Sequence, residues 1–473
     1  MKDNSINIRE VNNTMTLLKY IVLFIVYQTV VSIKYEPNWD SLDTRPLPQW
    51  YDQAKLGIFI HFGVFSVPSF DHVPAWFWKY WHDKSDMNSV EFMKKNYPPR
   101  FTYQDFAAEF TAEFFNAEEW AEIFNASGAK YAVLTTKHCD GFTLWPSRTS
   151  FNWNSNSTGP KRDIVGEFSA ALRKKSSLKV GLYHCLQEWF NPLYLKDKES
   201  NYTGQEYVKL KVQPALYELI NNYKPEVLWS DLCELKGPAE YYKSQEFLAW
   251  LYNESPVKDT VVTNDRWCAT CFCKHGGYFT CADKFNPGVV QKHKFEGGLT
   301  VDRDAWAYRR NVQLSNFLSA HDIISNLVSI VSCGGNMILD VGPTKEGKIT
   351  PIFEERLRQL GQWLRCNGEG IYSTVPWSHQ KDTTTRYVWY TMKKTDEKMV
   401  YAVVLSWPQN NTLTLGAPIT STNTIVTMLG YPEKFQWTTT AGAQGLNITI
   451  PNISWNKLPC QWAWTFKLTN IQN

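Results

Sequence analysis

The sequence lacks several signatures that would assign a chemistry directly. It has no G-x-S-x-G elbow and no G-x-G-x-x-G after a strand, which argues against a serine-hydrolase triad and a dinucleotide site. The HExxH zinc motif is also absent. The sequence also lacks a large excess of charge of either sign, because 49 basic and 46 acidic residues give a net charge of +3. The sequence therefore shows no electrostatic footprint for nucleic acid and no polybasic membrane patch.

Long apolar runs are equally scarce. The run from Leu17 to Val31 is shorter than the roughly 20 residues that a bilayer requires, and no later segment is apolar enough to span one. Val30 and Ser32 are small enough for a cleavage site, so residues 1–32 are predicted to be a signal peptide with an extended n-region. An uncleaved signal-anchor is the alternative. The same secretory route suits six candidate glycosylation sites, at Asn125, Asn156, Asn201, Asn410, Asn447 and Asn452.

The cysteines fit an oxidising compartment. Four of the ten cluster at Cys268, Cys271, Cys273 and Cys281, with His275 among them. Zinc ligation is one interpretation, and disulfides are favoured over it in a secreted protein. Spacing does not give their connectivity. Cys139 and Cys233 stand in other motifs and are expected to be free.

The chain is long enough for a large and a smaller domain, and 43% of its 473 residues are hydrophobic. Short apolar runs alternate with amphipathic helical patterns over about 330 residues, which predicts a parallel sheet and favours a (β/α)8-like barrel over 33–373. Short, closely spaced strands then predict an antiparallel β-sandwich over 374–473. The barrel strands are predicted in LGIFIHFG, YAVLTTKH, VGLYHC, EVLWSD, TVVTND and NMILDVGP.

Several of these strands end in ionisable or imidazole residues, where a barrel carries its active site. His61, His138 and Asp231 close three of them, Tyr183 lies in another, and Arg266 follows a fifth. With 21 tryptophans available as flat faces, carboxylates at strand ends point to glycoside hydrolysis, which needs a pair of carboxyl groups. Asp231, framed by Trp229, is the best candidate nucleophile. A helix-capping role for this aspartate is the alternative.

Long motifs carry a family resemblance from about residue 39 to residue 468. The chain resembles the animal tissue-type, lysosomal alpha-L-fucosidases, which are retaining glycoside hydrolases. The strings that carry the resemblance include SLDTRPLPQWYDQAKLGIFIHFGVFSVP, GAKYAVLTTKHCDGFTLWPS, YKPEVLWSD and ISNLVSIVSCGGNMILDVGPTKEGKITPIFEERL.

The resemblance implies a barrel followed by a sandwich, no metal and no organic cofactor, and release of terminal alpha-L-fucose from glycoproteins and glycolipids. It implies Asp231 as nucleophile and Glu296, in a K-W-E segment that reads K-F-E here, as acid/base. Glu296 is placed on a variable loop, so Asp283 is the reserve acid. The residues that the resemblance implies contact fucose are His61, Trp76, His138, Tyr183 and Trp229, with Arg266 a weaker candidate.

The sequence departs from the family at the expected site. Ala75 stands where Glu is usual, Cys139 where a second His is usual, and Gly298 where Cys is usual. Lost hydrogen bonds to sugar hydroxyls would weaken transition-state binding. Three hypotheses therefore stand: a working fucosidase with altered preference or rate, a secreted glycan-binding protein on a fucosidase scaffold, and an enzyme for another deoxy-sugar or galactoside. Retention of Asp231 and Glu296 favours the first.

Fucosylated glycans are the expected partners, without nucleic acid and without a membrane span. The destination is the lysosome or the extracellular space. The resemblance also implies a homo-oligomer, as a tetramer.

Overall fold

The computed structural model describes residues 34–175, 177–441 and 444–473. The predicted signal peptide, residues 1–32, lies outside the described residues. Among the residues that are described, no helix combines the length and the apolar character needed to cross a bilayer.

The first part of the chain forms a curled, all-parallel sheet of seven strands, in the order β5-β4-β3-β2-β1-β7-β6. Most of these strands are buried on both faces, which explains their continuous apolar runs. The strands are β1 (Leu56–Ile60), β2 (Tyr131–Lys137), β3 (Lys179–Cys185), β4 (Val227–Asp231), β5 (Val262–Thr263), β6 (Glu296–Thr300) and β7 (Asn336–Val341).

A short segment fills the gap between β5 and β6. On one side the Tyr278 amide donates to the Thr263 carbonyl. On the other side the Phe279 amide donates to the Lys294 carbonyl, and the Phe279 carbonyl accepts the Glu296 amide. Phe279 also forms an isolated parallel bridge with Phe295. The ring of strands thereby becomes barrel-like, as predicted, although its eighth member is too short to be a regular strand.

Helices alternate with these strands, as the 3.6-residue periodicity predicts. Many begin at a side-chain cap: Asn116, for example, accepts hydrogen bonds from the amides of Glu118 and Glu119 at the start of α6. The helices are α1 (Trp39–Leu42), α2 (Gln49–Ala54), α3 (Phe77–His82), α4 (Met87–Asn96), α5 (Phe106–Glu109), α6 (Ala117–Ala126), α7 (Ile164–Lys174), α8 (Pro192–Glu199), α9 (Gln213–Tyr223), α10 (Ala239–Tyr242), α11 (Ser244–Asn253), α12 (Ala320–Ser332) and α13 (Pro351–Asn367).

The remainder of the chain forms an antiparallel sheet of eight strands with its own hydrophobic core, in the order β11-β14-β13-β12-β15-β10-β9-β8. Helix α13 joins it to the barrel: the Trp363 indole donates to the Ala463 carbonyl over 2.9 Å. The predicted C-terminal β-sandwich class is confirmed. The strands are β8 (Thr374–Val375), β9 (Val388–Lys393), β10 (Asp396–Val404), β11 (Thr412–Leu415), β12 (Ile425–Met428), β13 (Lys434–Thr439), β14 (Leu446–Thr449) and β15 (Trp464–Thr469).

The cysteine predictions have mixed outcomes. The structure contains the disulfides Cys268–Cys271 and Cys273–Cys281, so the disulfide interpretation of that cluster is confirmed over zinc. The expectation that Cys139 and Cys233 are free is wrong, because they form a third disulfide. The fold brings the ends of β2 and β4 together, which sequence spacing cannot show.

Five of the predicted glycosylation asparagines are exposed, and Asn447 is half-buried beside Thr414, whose hydroxyl donates to the Asn447 side-chain oxygen. Their use stays a prediction.

Candidate active site

A pocket opens at the carboxyl ends of the parallel strands, and the nine residues that sequence analysis assigned to the site all line it. They are His61, Trp76, His138, Tyr183, Trp229, Asp231, Arg266, Asp283 and Glu296. Eight further residues complete the lining: Phe59, Val73, Ala75, Thr280, Ala282, Gly298, Trp306 and Ile338. Of these, sequence analysis named Ala75 and Gly298 as departures and did not single out the other six.

Asp231 is the last residue of β4 and projects into the pocket. The Tyr183 hydroxyl donates to one of its oxygens over 2.8 Å, and Arg266 contacts the other at 3.1 Å. Burial raises the pKa of Asp231, while Arg266 and Tyr183 act in the opposite direction. Burial also raises the pKa of Tyr183 well above its usual range, so the phenol stays protonated and keeps donating.

Arg266 bridges two carboxylates. The same Nη1 atom that contacts Asp231 lies 2.8 Å from an Asp283 oxygen. The two carboxyl oxygens are therefore no farther apart than the sum of these two distances. Arg266 is held from behind by Thr280, whose hydroxyl accepts its Nε–H over 2.9 Å, and its guanidinium lies over the Trp229 ring. The side chain of Asp283 is 66% exposed, at the mouth of the pocket.

Glu296 occupies a different position from the one expected. It is the first residue of β6 rather than part of a variable loop, and it is 1% exposed. Its two oxygens accept three hydrogen bonds, from the Trp229 indole at 2.8 Å and from the hydroxyls of Tyr51 at 2.8 Å and Tyr131 at 2.5 Å. Burial raises the pKa of Glu296, and these three donors oppose that effect.

A buried carboxylate orients one of the two histidines. His61 follows β1 directly, and its Nδ1 lies 2.6 Å from an oxygen of Asp340 in β7. The other Asp340 oxygen accepts the Ala307 amide. This contact fixes the ring orientation and leaves Nε2 available to the pocket. Asp340 is not among the residues that sequence analysis assigned to the site, since its partnership with His61 depends on the β1–β7 pairing.

His138 stands beside a β-bulge. The register between β2 and β3 shifts between Thr135 and Lys137, immediately before it. Bulges commonly re-aim side chains next to active sites. Burial lowers the pKa of His138 well below its usual range, so the imidazole is neutral, and its ring stacks parallel to that of Tyr183.

Aromatic rings complete the walls. Trp229 stacks on Tyr183 with ring centroids 5.6 Å apart and also contacts Phe59. Trp306 contacts both Phe59 and His61. Such faces suit the apolar side of a sugar ring. Trp306 lies in the segment WAYRRN, whose sequence alone does not indicate that its Trp lines the site.

One group in the described part of the chain has ligand atoms close enough together to hold a metal ion: Cys139, Cys185 and Cys233. Two of these three are joined in a disulfide, which removes them as thiolate ligands.

The sequence matches the family "Alpha-L-fucosidase" over residues 22–369 and "Alpha-L-fucosidase C-terminal domain" over residues 380–469. The chain belongs to the alpha-L-fucosidase family. It is therefore a glycoside hydrolase that acts as an alpha-L-fucosidase.

Relatives match along almost the whole chain. An alpha-L-fucosidase of Branchiostoma floridae is 54% identical over 93% of this chain and 96% of its own length. The human plasma and tissue alpha-L-fucosidases are 51% and 50% identical, each over 93% of this chain and 93% and 92% of their own lengths. The resemblance stated from the motifs is confirmed, and the two human proteins match about equally.

Solved structures agree with the fold. The crystal structure of the Thermotoga maritima alpha-fucosidase with a mechanism-based inhibitor superimposes with a TM-score of 0.79 at 30% identity. It covers 92% of this chain and 100% of that protein.

Proposed function

We propose that this alpha-L-fucosidase uses Asp231 as its nucleophile and Asp283 as its acid and base, with Glu296 in a positioning role. The observation that carries the proposal is the Arg266 bridge, which holds Asp231 and Asp283 on one guanidinium nitrogen at 3.1 Å and 2.8 Å. Retaining glycosidases place their two carboxyl groups about 5–5.5 Å apart, and the bridge limits this pair to a separation of that order.

Asp231 is suited to attack. It must be ionised, and Arg266 and the Tyr183 hydroxyl stabilise its charge at the end of a rigid strand. In the first step an Asp231 oxygen bonds to the anomeric carbon, and the bond from that carbon to the leaving oxygen breaks. A proton from the acid reaches the leaving oxygen. In the second step Asp283, now acting as the base, takes a proton from water. The water oxygen attacks the anomeric carbon, and the bond from that carbon to Asp231 breaks.

Asp283 is better placed than Glu296 to handle these protons. Proton transfer needs a carboxyl group within reach of the leaving oxygen, which lies toward the pocket mouth where Asp283 is exposed. Both oxygens of Glu296 face donors of the pocket floor. One of those hydrogen bonds fixes the Trp229 indole, which stacks on the Tyr183 ring, and the two tyrosine hydroxyls hold the Glu296 carboxylate in place. Glu296 thus acts through Trp229.

Fucose recognition follows from the remaining walls. His61, His138 and Tyr183 can hydrogen-bond the sugar hydroxyls, and the tryptophan faces can contact the C5 methyl group that distinguishes fucose from galactose. A methyl contact alone supplies about 1–3 kcal/mol of discrimination. Terminal alpha-L-fucose on glycoproteins and glycolipids is therefore the proposed substrate.

We infer that the enzyme acts in the lysosome or outside the cell. Its three disulfides suit an oxidising route, and the similar human proteins are named plasma and tissue alpha-L-fucosidases. Assembly as a tetramer stays a prediction.

Aryl alpha-L-fucosides whose phenols differ in acidity test the assignment. Asp231→Asn should abolish turnover of all of them. Asp283→Asn should lose little on the most acidic phenol, which leaves without a proton, and about 10²–10⁴-fold in kcat/KM on the least acidic. Glu296→Gln should lower kcat/KM by one factor throughout the series, because Trp229 positioning does not depend on the leaving group.

Asp304→Asn is the matched control, since Asp304 is a half-exposed aspartate that does not line the pocket. A graded loss in Glu296→Gln together with a uniform loss in Asp283→Asn would exchange the two roles and refute the proposal.

A further inference from the structure

The Cys139–Cys233 disulfide connects the two strands that carry His138 and Asp231. Cys139 directly follows His138 at the end of β2, and Cys233 lies two residues beyond Asp231 at the end of β4. These strands are not neighbours in the sheet, because β3 lies between them. The bond therefore spans the end of β3. It fixes the distance between the ends of β2 and β4, which the sheet hydrogen bonds set only indirectly, through β3.

A third sulfur fills the space beneath this bond. Cys185 is the last residue of β3 and pairs in register with Asp231. Its Sγ lies 2.8 Å from that of Cys233 and 3.7 Å from that of Cys139. Three adjacent strands thus contribute three sulfurs, all buried, to one cluster that also contains Tyr183 and Trp229.

Cys185 does not compete for the bond. Burial raises the pKa of the Cys185 thiol to about 12, so it carries almost no thiolate at neutral pH. Only thiolates exchange with disulfides. Exchange of Cys185 into the Cys139–Cys233 bond is therefore slow at neutral pH.

We propose that the Cys139–Cys233 disulfide is a positioning element of the active site, whose integrity sets the placement of Asp231 against His138 and makes hydrolysis sensitive to reduction. This inference rests on the proposed function of Asp231. The main chain beyond Asp231 is also tied to the segment after β3: the Leu186 amide donates to the Asp231 carbonyl at 2.8 Å, and the Gln187 side chain accepts the Glu234 amide at 2.7 Å and donates to the carbonyls of Glu234 and Lys236. The disulfide instead reaches the end of β2, beside His138.

A displacement of about 1 Å at a catalytic group can lower the rate about 10²-fold, so a modest relaxation of this loop is enough to affect turnover. Reduction requires an added dithiol. Its thiolate attacks one sulfur, which breaks the Cys139–Cys233 bond and forms a mixed disulfide. Its second sulfur then displaces the remaining protein thiol, so the dithiol gives up two electrons and two protons and is oxidised to a disulfide, while the protein gains two thiols.

The test compares Cys139→Ser/Cys233→Ser with Cys268→Ser/Cys271→Ser, which removes a disulfide between residues three positions apart rather than one between two strand ends. On an aryl alpha-L-fucoside, the first variant should lose about 10–100-fold in kcat with a smaller change in KM, and its pH profile of kcat/KM should shift. The control should keep both parameters and the profile. Circular dichroism and the melting temperature report whether each variant is folded.

Reduction of the wild-type enzyme by dithiothreitol under native conditions is a second test, which does not depend on the folding of a variant. Activity should fall as Cys139 and Cys233 become reduced, which mass spectrometry of separately alkylated aliquots follows. Activity should return when the reduced, unalkylated enzyme is reoxidised with the oxidised dithiol. The Cys139→Ser/Cys233→Ser variant should not respond.

Unchanged kcat, KM and pH profile in folded Cys139→Ser/Cys233→Ser, or full wild-type activity with both cysteines alkylated, would overturn the inference. A wild-type enzyme that is inactive, or no more active than Asp231→Asn, would instead contradict the proposed function.

Discussion

The charge of Arg266 should control the acid side of the pH profile. Burial and the nearby charge of Asp283 raise the pKa of Asp231, and Arg266, at 3.1 Å, is the largest influence that lowers it. Arg266→Met removes this positive charge and keeps most of the side-chain length. A cation this close lowers a carboxyl pKa by about 1–3 units, each worth about 1.36 kcal/mol. The pKa of Asp231 in the variant should rise by that amount.

The sign follows from the reaction. Attack requires ionised Asp231, so kcat/KM is lost as the pH falls through the pKa of this group in the free enzyme. A higher pKa moves that loss to higher pH. The acid limb of kcat/KM should therefore shift upward by about 1–3 units, measured on an aryl alpha-L-fucoside well below KM.

Arg303→Met is the matched control, because this half-exposed arginine pairs with Asp322 and does not line the pocket. Its acid limb should coincide with that of the wild type. An unshifted acid limb in an active Arg266→Met enzyme would refute the electrostatic role assigned to the bridge.

Two further predictions concern other buried charges. Asp340→Asn, which weakens the hold on His61, should lower kcat/KM about 10–100-fold with little change in melting temperature, and an unchanged kcat/KM would remove Asp340 from the positioning scheme. Burial lowers the pKa of Lys294 to about 7, whereas in the unfolded chain this lysine keeps its proton up to about pH 10.4. Because the unfolded state binds more protons between these values, the free energy of unfolding should rise with pH there, by up to a few kcal/mol. Melting temperatures against pH should rise less in Lys294→Met than in the exposed-site control Lys292→Met, and parallel curves would contradict the assignment.

Sequence reasoning found the strands that are buried on both faces. The runs that became β1, β2, β3, β4 and β7 are rich in branched and aromatic residues, and their ends carry His61, His138 and Asp231. Strand β6 was not predicted because its sequence, EGGLT, has glycines where a strand usually has packing side chains. Those glycines allow close approach: a Cβ on Gly298 would meet the Asp283 carbonyl at 2.4 Å.

Partnerships across the barrel were beyond the sequence for a different reason. The contacts of Glu296 with Tyr51 and Tyr131, and of Cys139 with Cys233, join residues far apart in the chain. Only the closing of the sheet brings them together. The family motifs supplied candidate residues for the pocket, whereas the choice between Glu296 and Asp283 as acid needed the hydrogen bonds of each carboxylate.

The central claim is that Asp231 is the nucleophile and Asp283 is the acid and base of hydrolysis. Rescue of the glycine variants by azide tests this claim most directly. In Asp231→Gly, azide should replace the nucleophile and give the beta-fucosyl azide, with inversion. In Asp283→Gly, azide should attack the covalent intermediate and give the alpha-fucosyl azide, with retention. The alpha product from Asp231→Gly, or the alpha product from Glu296→Gly in place of Asp283→Gly, would contradict the account.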